Sequence, residues 1–116
     1  MVYEALVAAK ELAKIEIETE VINCHTIKPM DERTIIRSAK TTGAVVTCEE
    51  HQIDGGMGSA VAEILSRNFP VPIEFIGVPN VFGESGKPEE LFKKFKMTSK
   101  DIIKAVKRVL LRKNSV

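Results

Sequence analysis

The sequence predicts an α/β domain, a three-layer α/β/α arrangement around a short, mostly parallel, doubly wound sheet. Three observations carry that reading. Short β-branched runs at residues 15–26, 44–49 and 73–77 alternate with stretches whose apolar residues recur at three- and four-residue steps. The helical stretch between each pair of runs is long enough for a parallel crossover. Pro29, Gly43, Pro70 and Pro72 fall at the junctions, where punctuation is expected.

The elements follow in order. Residues 1–14 read as a helix, with Val2, Leu6, Ala9 and Ala13 on one stripe and Glu4, Lys10, Glu11 and Lys14 off it. Ile17, Val21 and Ile22 mark the first strand, which Pro29 closes. Asp31 is the expected N-cap of a helix through Lys40 that Gly43 ends. The second strand, 44–49, runs into a polar, glycine-rich loop. A helix over 59–68 follows, with Val61, Ile64 and Leu65 inward, then the third strand at 73–77. Residues 77–86 read as a loop, and Pro88 suits the start of a short helix through Phe95. Thr98 and Asp101 stand at capping-box spacing ahead of the last helix, whose apolar face is Ile102, Ile103, Val106, Val109 and Leu110.

A chain of 116 residues fits one domain over 1–116, with room for a real core. Its 44% hydrophobic and 28% charged residues exclude a disordered class. No apolar run approaches the length of a spanning helix, and no secretory signal core opens the chain. Two cysteines are too few for a disulfide framework, so the expected location is the cytoplasm. Net charge of +1 gives no overall pull toward nucleic acid or membrane. It conceals a polarity: residues 91–116 carry nine basic side chains against Asp101 alone. Apolar residues spaced regularly between those charges favour a solvated helix face over a binding surface.

Candidate chemistry concentrates at residues 47–60, TCEEHQIDGGMGSA. Gly55, Gly56, Gly58 and Ser59 invite a phosphate-cradle reading, because glycine-rich strand-to-helix turns aim backbone N–H groups at anions. The dinucleotide spacing fails, since GxGxxG begun at Gly56 reaches Val61, and no P-loop pattern occurs. A tight turn with at most a weak anion site is the expectation. Cys24, His25, Cys48 and His51 are metal-ligand types, yet neighbours on a strand face opposite ways and the spacing is not that of structural zinc. No metal site is expected. Glu49, Glu50 and His51 contain an acid and a base, but no nucleophile or oxyanion pair accompanies them. Glu49, Glu50, His51 and Gln52 therefore read as a contact surface, not a catalytic set.

These segments also resemble a known family. Residues 21–31, VINCHTIKPMD, are similar to the pattern VIN-x-x-TIKPLD. Residues 47–60 are similar to T-x-EEH-x-x-GG-x-GSA, and residues 82–86, FGESG, to FG-x-SG. In this order, and with residues 91–107 fitting the tail, they resemble the C-terminal domain of transketolase, in particular its split form. The resemblance covers nearly the whole chain. It implies an assembly or regulatory domain of an enzyme that transfers a two-carbon ketol unit between sugar phosphates. Thiamine diphosphate and a divalent metal (Mg or Ca) would then sit in the parent enzyme, between domains this chain does not match. The chain itself is expected to hold no cofactor, no catalytic residue and no complete active site. Its expected partners are the thiamine-binding N-terminal subunit or domain and a second copy in a homodimer. Two alternatives remain: the equivalent β-subunit domain of a 2-oxo-acid dehydrogenase docking an acyltransferase core, and a freestanding phosphate- or nucleotide-binding module.

Family members carry a central apolar strand just before the helix that matches residues 1–14. It has no counterpart from Met1 onward. The strands matching 17–24 and 45–49 would flank it, about 9–10 Å apart. The expectation is that this gap closes by direct pairing or is filled by another chain.

Overall fold

The structure, a computed structural model, describes residues 2–23, 31–52, 56–78 and 97–114. The elements are α1 (Val2–Ala13), α2 (Glu32–Thr42), β1 (Val45–Gln52), α3 (Met57–Asn68), β2 (Ile73–Val78) and α4 (Ser99–Asn114). Among the described residues β1 and β2 form a two-stranded parallel sheet, with Val45 opposite Ile73 and Cys48 opposite Ile76. The helix between them is the crossover that parallel pairing needs.

Side-chain parity along the strands divides the core in two. Val46, Cys48 and Ile76 pack with Ala8 of α1 and with Ile102 and Ala105 of α4. Val45 and Ile73 pack on the other face, with Ile35 and Ala39 of α2 and Ile64 and Leu65 of α3. Each strand thus buries apolar groups on both sides, which is how a parallel sheet is covered. The three-layer, doubly wound architecture is present in this small form.

Local chemistry sets the boundaries. Asp31 caps α2: its Oδ1 accepts from the Thr34 N–H at 3.1 Å and its Oδ2 from the Thr34 hydroxyl at 2.7 Å. Those bonds hold the Asp31 carboxyl below its ordinary 3.8. Gly43, at φ +74°, closes the helix by donating to the Ala39 carbonyl at 2.7 Å. In α4, Asp101 Oδ2 accepts from the Thr98 N–H at 3.1 Å and its hydroxyl at 2.6 Å, half of a capping box. Glu4 reaches across from α1 to accept from the Ser99 N–H at 2.6 Å, tying the first helix to the start of the last.

Helix α1 ends in a Schellman turn. Ile17 N–H donates to the Leu12 carbonyl at 3.0 Å and Glu16 N–H to that of Ala13 at 3.1 Å. The position between helix and exit is left-handed, and Glu16 occupies it at φ +63°, where glycine is usual. Glu16→Gly should therefore stabilise the chain by about 0.5–1 kcal/mol, the relief of the left-handed penalty less glycine's extra unfolded-state entropy. Urea denaturation of both chains measures it.

On β2, Glu74 accepts from Arg108 Nε at 3.0 Å and from Arg112 Nη1 at 2.6 Å. Burial pushes its carboxyl up, but the two guanidinium hydrogen bonds outweigh burial and hold it below its ordinary 4.5. A depressed carboxyl contributes stability that is present above the unfolded value and is lost as pH falls through the folded one. Acid should thus destabilise the native chain more steeply than Glu74→Gln, as read by denaturation midpoints between about pH 7 and pH 3.

One expected strand is not formed. Within the described part of 15–26, residues 15 and 16 turn, and 17–23 are not in a strand. A strand exists only through its ladder, and among the described residues direct pairing of this segment with β1 does not occur. A slot of about 630 Å³ lies between them, lined by both. The expected short helix at 88–95 and most of the loop at 77–86 lie outside the described residues.

Candidate functional site

Parity decides where the polar strand end points. Val45, Thr47 and Glu49 share the face toward α2 and α3. Glu49 is accordingly buried, at 6% exposure. Its Oε1 accepts from the Met57 N–H at 3.0 Å and its Oε2 from the Gly58 N–H at 2.7 Å. These are first-turn amides of α3, which the helix cannot satisfy itself. Gly56, the N-cap, has no side chain to do so. A strand carboxylate thus serves as the cap, at the helix end where negative charge is favoured.

Gly58 explains the glycine pattern better than a ligand does. A Cβ there would lie 2.8 Å from Glu49 Oε2, 2.8 Å from Thr47 Oγ1 and 2.9 Å from Phe75 Cδ1. The helix can sit this close to the sheet only without that carbon. Thr47 Oγ1 is buried here and has no hydrogen-bond partner among the described residues. Ser59 takes part in α3's first turn. Glu50, His51 and Gln52 complete β1, and only their backbone is described; Gly55 lies outside the described residues.

The two candidate chemistries can be tested on this geometry. An anion at the start of α3 would have to displace the Glu49 carboxylate from the Met57 and Gly58 amides. No group of three or more His, Cys, Asp or Glu among the described residues could hold a metal ion. The described residues do not fit a diphosphate–metal group. Cys24 and His25 lie outside the described residues. Burial pushes the Cys48 thiol up to about 11 from 9.0. The folded chain keeps its proton where the unfolded one begins to lose it, so Cys48 contributes stability below pH 9.0 that is lost as pH rises toward about 11. At about pH 8, iodoacetamide should label Cys48 roughly a hundredfold more slowly in the native than in the urea-unfolded chain. Mass spectrometry of the tryptic peptide separates it from Cys24.

Sequence reasoning missed the inward role of Glu49 and the parts of Thr47 and Phe75 in the Gly58 contact. Counting alternate positions from Val45 was the signal that would have found Glu49.

A small three-layer α/β domain, with a strand-end carboxylate capping a glycine-led helix, is the class defined so far. Residues 1–102 match the model of the transketolase C-terminal domain, and the chain belongs to that family. It is 52% identical over 114 residues to the 6-deoxy-6-sulfo-D-fructose transketolase subunit SqwH of Clostridium sp. (strain MSTE9), covering 98% of this chain and 35% of that protein. To the 1-deoxy-D-xylulose-5-phosphate synthase of Trichormus variabilis (strain ATCC 29413 / PCC 7937) it is 40% identical over 114 residues, 97% of this chain and 18% of that one. Among solved structures, a split gene transketolase described as an inactive beta4 tetramer superposes with a TM-score of 0.91 at 44% identity, over 97% of this chain and 37% of that one. The chain therefore spans between 18% and 37% of the length of these relatives. No helix among the described residues is long and apolar enough to cross a membrane.

Proposed function

We propose that this chain is a single assembly domain, over 1–116, of a cytoplasmic transketolase-type enzyme that transfers two-carbon ketol units between sugar phosphates. The observation that carries this is the 0.91 superposition on a split gene transketolase of which the chain covers 37%. The domain has no complete active site of its own. Thiamine diphosphate and its divalent metal, Mg or Ca, belong to a thiamine-binding partner, and the domain supports that partner and a homodimer contact. Glu50, His51 and Gln52 form the contact at the end of β1, with Glu49 bracing the strand from within. The Gly56–Gly58 turn is structural. The test is reconstitution: the chain alone, given thiamine diphosphate and magnesium, turns over no ketose phosphate. Mixed with a transketolase thiamine-binding half it co-elutes, and replacing Glu50, His51 and Gln52 by alanine weakens that co-elution. Turnover by the chain alone would refute the reading, and co-elution with an acyltransferase core would replace it with the dehydrogenase one.

A second reading concerns the sugar. The 52% identity to a 6-deoxy-6-sulfo-D-fructose transketolase subunit favours a parent enzyme that accepts a sulfonated ketose. Assaying the reconstituted enzyme with the sulfonated and the phosphorylated ketose separates the two.

A further inference from the structure

We draw no further inference here: the strongest candidate, the outer face of α4, where Lys100, Lys104 and Lys107 stand in line with the exposed Leu111, carries none, because nothing in the structure shows what covers it.

Discussion

Replacing Glu49 by alanine should cost the isolated chain about 3 kcal/mol and lower its melting temperature by roughly 10 °C. Two first-turn amides of α3 lose their acceptor at once, and the Gly58 position is buried. The N-cap, Gly56, has no side chain to replace it. A buried donor without a partner costs about 1–3 kcal/mol. Glu49→Gln should cost less, since its amide carbonyl keeps one of the two bonds while its NH₂ faces a second donor. Urea denaturation of the three chains gives the order wild type, glutamine, alanine. The same measurement separates Glu49 from its neighbours: if Glu50, His51 and Gln52 are a contact surface, alanine there leaves the isolated chain's stability within about 0.5 kcal/mol and shows only in association. A stability loss at Glu49 no larger than at those three would remove its capping role.

What could be read from the sequence is what short-range chemistry decides. Asp31 before an amphipathic run and Gly43 after it cap as expected, and Asp101, three residues after Thr98, supplies one half of the expected capping box. The β1–α3–β2 unit was legible because each part has its own period. Where pairing or burial depends on distant residues, the reading slipped. Residues 17–23 have strand composition, but composition supplies no ladder partner. Helix α3 starts at Met57, two residues before the expected start at Ser59, because a carboxylate eight positions earlier caps it. Strand β1 runs on to Gln52 for a similar reason. After a break in register its last residue pairs with Val78, a contact invisible from either segment alone. As for the site, a run of Glu, Glu, His and Gln beside glycines looks outward-facing until strand parity is counted from Val45.

Gly58→Ala should be the second large loss, about 1–3 kcal/mol, although alanine is the better helix former. The added carbon meets three atoms within 2.9 Å. Thr47 is β-branched and buried, so its Oγ1 has little freedom to turn away. Glu49 Oε2 could move only by giving up its bond to the very residue that was changed. Phe75, 38% exposed, is the neighbour with room to yield. Because the clash and the cap share the Glu49 carboxylate, the two substitutions should couple. In the Glu49→Ala background the carboxylate is gone, and Gly58→Ala should cost at least about 1 kcal/mol less than it does alone. A double-mutant cycle by urea denaturation reads this. Strict additivity would mean that Gly58 is glycine for some reason other than the close approach of α3 to Glu49.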